Sequence, residues 1–300
     1  MTLSRVGVCM LAVSTYFCLC EVQAAPVPDM TTAQKSLLSA RETMVPHMAT
    51  YKIKTSSIRR GSAIIGLEGT LLYHFKTGCT GWITDHRFDM VYEYSSSVPL
   101  RTTSKFSSFE SFDGTSMNFS SVRDRDGEIY EKIRGAAYLG SKLAVEYSSP
   151  ETSRVSLQGG TFFPVAHTAY MLDQARHGKK IVHAIVFDGS DSEGSVEINA
   201  VIVSKIEPKI SGQKTFSSAT ISGKTPDASL DQNKLLQVPG WHVQMAVFPM
   251  DEKQSLADYE LSMDVLENGI VQRMNVDYHD FSIEQTLVGL QRENPESCKE

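Results

Sequence analysis

From Pro46 onward apolar side chains recur at every second position, and no other feature narrows the fold of this chain as far. Ala49, Tyr51 and Ile53 alternate with Thr50, Lys52 and Lys54, and Leu67, Gly69, Leu71, Tyr73 and Phe75 continue the pattern. The longest case runs from Trp82 to Tyr94. There Trp82, Thr84, His86, Phe88, Met90, Tyr92 and Tyr94 oppose Ile83, Asp85, Arg87, Asp89, Val91 and Glu93. Side chains of a strand point alternately to its two faces, so the pattern predicts half-buried strands with one apolar-aromatic face and one largely charged face. A sheet with one wetted side is an antiparallel sheet.

Turn signals separate the strands at sheet-like intervals: Asp113-Gly114, Asp126-Gly127, and the loop from Asp188 to Gly194 between Ile181–Phe187 and Val196–Ile206. Asn268-Gly269 joins Tyr259–Leu266 to Ile270–Tyr278. Both of its residues accept positive φ, which predicts a two-residue type I′ hairpin. The period changes to that of a helix in Pro164–Lys179, where Val165, Thr168, Ala169, Leu172 and Ala175 form a stripe that Gly178 ends. Residues 25–45 read as a short amphipathic helix or packed tail, with Leu37, Leu38, Arg41 and Met44 at helical spacing and Thr31 or Thr32 as cap. Ser211–Gln237 is polar and aperiodic, a surface excursion with marginal strands. Many strands with one interior helix over residues 46–300 predict the all-β class and a single large β-domain, a size such domains commonly reach.

Residues 1–24 read as a signal peptide. Arg5 precedes an apolar run from Val6 to Cys20, too short to span a bilayer that needs roughly 20 apolar residues. Val22 and Ala24 place small side chains before the Ala24/Ala25 bond, the expected cleavage site. Neither Cys18 nor Cys20 follows the small residues that a lipid-anchored signal requires. Export would remove Cys9, Cys18 and Cys20 and leave Cys79 and Cys298 as the thiols of the mature chain, a pair expected to bridge in an oxidising compartment. No later segment approaches 18 uninterrupted apolar residues, so the exported chain is expected not to span a membrane. The formal net charge of -6, with Lys and Arg scattered, argues against nucleic acid as a partner.

The motifs that carry chemistry are sparse. Eight histidines include no HExxH and no pair at i, i+4, and no CxxC occurs. His167 and His177 flank the predicted helix about 15 Å apart along its axis, so they cannot share one ion, and His167 is read as a helix-packing or capping group. Asp277-Tyr278-His279-Asp280 is read as a charged strand end, with Asp277 and His279 on one face. Asp124, Asp126 and Glu128, and separately Asp188, Asp191 and Glu193, offer oxygen ligands for Ca²⁺, but neither set fits the twelve-residue Ca²⁺ loop, and hairpin tips account for both. Without a GxSxG elbow, a GxGxxG loop or a P-loop, no catalytic residues, cofactor or metal are predicted and the chain is not expected to be an enzyme.

Several stretches together resemble the EipB-like periplasmic cell-envelope integrity proteins of alphaproteobacteria. They are Pro46-His47-Met48-Ala49-Thr50-Tyr51, Gly78-Cys79-Thr80-Gly81-Trp82 with Arg87, Phe109–Gly114, Gly160–Pro164 leading to His167-Thr168, Val186–Gly189, Asp258-Tyr259-Glu260, Glu267-Asn268-Gly269, Asp277-Tyr278 with Asp280-Phe281, and Cys298. The resemblance implies a β-spiral: a strongly curved, open, barrel-like antiparallel sheet with one or two helices packed against it, closed by a disulfide that Cys79 and Cys298 match. Met48 stands where that family usually has Arg, and His279 where it usually has Gly, which would alter a local turn. The implied role is support of envelope integrity from the periplasm, without catalysis, by binding a partner protein or an envelope component on the curved sheet. A different class of function, a carrier of lipid or another apolar ligand, would line a pocket with Trp82, Phe88, Met90 and Tyr92. An outer-membrane barrel conflicts with the interior helix and with a polar end that lacks an aromatic strand.

Overall fold

The computed structural model describes residues 30–140, 142–192, 194–208, 234–250, 256–294 and 298. The Ala24/Ala25 site, Glu193 and most of Ser211–Gln237 lie outside them. After helix α1 (Met30–Thr43), eight strands follow one another: β1 (His47–Ile58), β2 (Ile64–Thr77), β3 (Gly81–Tyr94), β4 (Leu100–Ser111), β5 (Ser116–Arg125), β6 (Glu128–Leu139), β7 (Leu143–Ser149) and β8 (Ser153–Ser156). Then come β9 (Thr161–Phe162), α2 (Pro164–Arg176), β10 (Ile181–Val186), β11 (Val196–Ile206), β12 (Gly240–Pro249), β13 (Tyr259–Leu266), β14 (Val271–Asp277) and β15 (Phe281–Arg292).

All fifteen described strands join one sheet in the order β8-β7-β6-β5-β4-β3-β2-β1-β15-β14-β13-β12-β11-β10-β9. Its neighbours are antiparallel except for β9 beside β10. The strands farthest apart in sequence therefore meet in the middle of the sheet, where β1 pairs with β15 from His47↔Arg292 to Ile58↔Phe281. Strands of twelve to fourteen residues accumulate the right-handed twist of a pleated ribbon, and with one apolar face the sheet curls that face inward.

The two edges do not form a ladder with each other among the described residues. Instead the stretch that follows β10 lies against the inner face of β5–β7. Phe187 and Phe163 are fully buried there with Met117, Phe119, Ile133 and Tyr147. Phe119 meets Phe187 edge to face at 5.4 Å. Gly189, at φ 71°, sits so close that a Cβ would come within 2.6 Å of the Phe119 ring, so only glycine fits. Two side chains cross this seam to backbone: Arg123 donates to Ser190 O at 2.8 Å, and Tyr147 to Asp191 O at 3.3 Å. The overlap makes the sheet a spiral rather than a closed barrel.

One end of the spiral is filled by the helices. α1 presents Ala33, Leu37, Ala40 and Met44 to α2 and to Phe75 and Trp82. Leu38, expected on the buried stripe, is 63% exposed, because the face that α2 covers runs through positions 33, 37, 40 and 44. Thr31 and Thr32 lie inside the helical span rather than at its cap. α2 ends at Arg176, and Gly178 at φ 76° carries its chain reversal. Beside this end Cys79, in the β2–β3 turn, is joined to Cys298, with Cα atoms 5.5 Å apart and a sequence separation of 219.

Two turns correct the sequence reading. Asn268 does not have positive φ, whereas Gly269 does, at 85°. Leu266 O accepts from Gly269 N, and Leu266 N donates to Ile270 O, both at 2.9 Å or less. This is a three-residue loop with a glycine bulge, not type I′. Asn268 is buried, and its amide donates to Leu235 O at 2.8 Å, a tertiary bond that sets the turn. The type I′ signature belongs to Asp126-Gly127, at φ 51° and 91°. His279 also leaves the strand: β14 ends at Asp277, and His279 turns the chain at φ 68°. A left-handed position there explains why glycine is the residue expected from the resemblance.

Candidate functional site

Strand register places the inward side chains in rows that cross the sheet. One row runs Leu287, Tyr51, Leu71, Phe88, Ser104, Arg123 from β15 to β5, and the next runs Leu290, Ala49, Tyr73, His86, Phe106, Ser121. A third, nearer the helices, runs His47, Phe75, Thr84, Ser108, Phe119. From Tyr51 and Tyr73 onward the first two rows, with Thr84 and Ser108 of the third, face a cavity of about 440 Å³. Met44, Pro164, Val165 and Thr168 of the helical end, Met263, Val265, Val271 and Met274 of β13 and β14, and Asp188 and Ser190 of the seam complete its wall.

Apolar and polar lining is segregated by strand. The β13, β14, β1 and β2 side is methionine, valine, leucine and tyrosine, whereas β4, β5 and the seam contribute hydroxyls, Arg123 and Asp188, with Phe106 as the apolar exception. Tyr51 donates its hydroxyl to Val271 O at 2.9 Å, which removes it from the cavity's polar surface. Thr84 and Ser108 bond each other at 2.7 Å. Tyr73, His86 and Phe106 form an aromatic row with edge-to-face contacts at 4.9 and 5.7 Å. Burial pushes the His86 pKa down to about 4, so this imidazole is uncharged near neutrality. Arg123 meets Glu131 at 2.6 Å. Burial raises the Asp188 carboxyl above its ordinary range while Ser190 N donates to it at 2.8 Å.

Below the cavity floor, Glu110 of β4 is buried and takes the N–H groups of Val165 at 2.9 Å and Ala166 at 3.3 Å. A carboxylate at a helix N-terminus satisfies orphan donors and complements the helix dipole. Burial nevertheless outweighs those bonds and pushes its pKa up to about 7. His167, one turn along α2, is buried, its Nε2 has no hydrogen-bond partner among the described residues, and its pKa falls to about 4 by desolvation.

Of the four side chains expected to line a pocket, Phe88 does so. Trp82 lies in the core against Phe112 and the helices, and Met90 and Tyr92 pack with the β1–β15 cluster. His177 is an exposed cap on Asp173 O. Asp124 and Asp126 hold the β5–β6 tip by accepting from Gly127 N and Arg101 N. Asp277 and Asp280 of the β14–β15 turn are held by Arg59 and Ser62. Among the described residues no cluster of three or more His, Cys, Asp or Glu side chains could hold a metal ion. The sequence reading missed Ser104, Ser121 and Arg123, whose signal was their alternation on β4 and β5 in register with Phe88. It also missed the convex-face contact of His242 with Asp264 at 2.7 Å, which Arg273 shares at 3.2 Å.

A one-sided antiparallel sheet curled over itself around a lined hollow defines an open, barrel-like β-protein. The EipB-like family model matches residues 39–293, and the chain belongs to that family. It is 29% identical over 250 residues to the cell envelope integrity protein EipB of Brucella abortus, covering 82% of this chain and 84% of that one. A crystal structure of a β-barrel-like protein of a domain of unknown function from Brucella abortus superposes with a TM-score of 0.72 at 27% identity, covering 84% of this chain and 99% of the other. Among the described residues no helix is long and apolar enough to cross a membrane.

Proposed function

We propose that this protein supports the integrity of the cell envelope from the periplasm, without catalysing a reaction, by holding an envelope component inside the spiral. The observation that carries this reading is the lined cavity of about 440 Å³. A hollow of that size within a sheet whose other rows are closely packed fits a ligand site better than a packing defect. The similarity to a cell envelope integrity protein supports the role. The apolar N-terminal run ahead of Ala24/Ala25 and the Cys79–Cys298 bridge support the compartment. The cavity favours a small envelope molecule over a partner protein as occupant.

The test is native mass spectrometry of protein purified from the envelope, with N-terminal sequencing. A chain beginning at Ala25 that carries an extractable mass of a few hundred daltons is the expected result. An empty cavity together with a stoichiometric protein partner would overturn the ligand reading, and a reproducible turnover lost on one Ser or His substitution with the fold intact would overturn the non-catalytic one.

A further inference from the structure

The segregation of the cavity wall says what kind of molecule it takes, provided that the cavity is a ligand site as proposed above. A methylene group fills about the volume of a water molecule, roughly 30 Å³, so about fifteen such groups fill 440 Å³. That is one acyl-sized chain. A two-chain lipid does not fit.

The walls orient it. Met263 and Met274 stand directly opposite each other on β13 and β14, beside Val265 and Val271, and unbranched thioether side chains adapt to an alkyl chain. Gln285 is a polar exception on this side. Across the cavity, Ser104 and Ser121 of β4 and β5 face inward beside Ser190 of the seam. The charges there are balanced: Arg123 is already paired with Glu131 and Ser190 O, and Asp188 stands near it. An anionic head would meet Asp188, and a cationic head would meet Arg123. A hydroxyl can accept from Arg123, donate to Asp188 and do either with the three serines.

We infer that the cavity takes one single-chain amphiphile with an uncharged, hydroxyl-bearing head, its tail against the β13–β14 methionines and its head against β4, β5 and Ser190. Calorimetric titration of the delipidated mature protein with monooctanoylglycerol, octanoate and dioctanoyl phosphatidylglycerol tests it. One-to-one binding of monooctanoylglycerol, at least tenfold tighter than either of the others, is expected. Met274→Trp, which fills the tail end, should abolish that binding. Ser121→Val should weaken it several-fold without changing the affinity for octanoate, and melting curves check that both variants fold. Equal or tighter binding of octanoate or the two-chain lipid would overturn the ligand class and leave the cavity reading standing. No binding of any of the three by the parent protein would overturn both.

Discussion

The sheet meets itself in two places, and the two joints are built from different forces. Where β1 meets β15, paired residues run the length of both twelve-residue strands, and Cys79–Cys298 fastens the neighbouring turn. Where the stretch after β10 meets β5–β7, the contact is made by side chains: Phe187 and Phe163 in an apolar slot, and two hydrogen bonds across it. Backbone pairing ties a joint to one register. Side-chain packing ties it only to a shape. The cavity touches the seam through Arg123, Asp188 and Ser190, which makes the weaker joint the one beside the proposed ligand.

The comparison breaks most directly at Phe187. Phe187→Ala leaves a void in the fully buried slot, and a loss of about 3–5 kcal/mol is expected from urea unfolding. Hydrogen exchange should show lost protection in β5–β7 and β10 while β1 and β15 keep theirs. Uniform loss would mean that the joints are one cooperative unit.

Next in size is the bridge. Cys298→Ser is expected to cost about 2–4 kcal/mol by freeing the unfolded chain, and the double substitution with Cys79→Ser should match either single one. Quantitative thiol labelling of the native protein under denaturing, non-reducing conditions is the direct check, and full labelling of both residues would remove the bridge from the account.

Glu110 sharpens the comparison through pH, because it caps the helix that begins beside Phe163. Its folded pKa of about 7 lies above the ordinary 4.5. The folded chain therefore binds the extra proton, so this group's contribution is present below about pH 4.5 and lost as pH rises toward 7. His86 and His167 act with the opposite sign: at about 4 against an ordinary 6.5, they cost stability as pH falls from about 6.5 toward 4. Glu110→Gln removes the first effect and keeps the second. Relative to the parent, it should gain about 1–3 kcal/mol between pH 4.5 and 7.0, read from urea midpoints at the two values.

The smallest effect concerns the turn that feeds β15. His279 holds φ 68°, and its ring bonds Ala257 O at 2.8 Å. His279→Gly loses the ring contact but accepts the conformation, whereas His279→Ala loses the contact and keeps the strain. The glycine variant should be the more stable of the two by about 1 kcal/mol, measured by thermal melting. An alanine variant equal to it would mean that the turn relaxes.

Strand existence was readable because alternation is a property of the ribbon itself: Trp82 to Tyr94 share their faces in the fold as in the sequence. Depth was not readable. Trp82 and Phe88 lie on one face, yet one is sealed by helices and the other borders the cavity, and the difference depends on where α1 and α2 sit. The turn at Asn268 was misread for a related reason, since Leu235 O, distant in sequence, holds its side chain. The seam left almost no local trace, because Phe187-Asp188-Gly189 does not name the strands it will lie on. Gly189 was its best signal, a glycine where Phe119 leaves no room for a side chain.

The pairing of β1 with β15 also sets an order of events during synthesis. Strands β2 to β8 each pair with the one before, so this half can zip up locally as it emerges. β1, however, keeps one bare edge until a strand more than two hundred residues later arrives, and an unpaired edge invites intermolecular pairing. The nascent chain is thus most vulnerable to aggregation at what becomes the middle of the finished sheet. A truncation that removed β15 would not shorten the sheet at its margin. It would cut it in two.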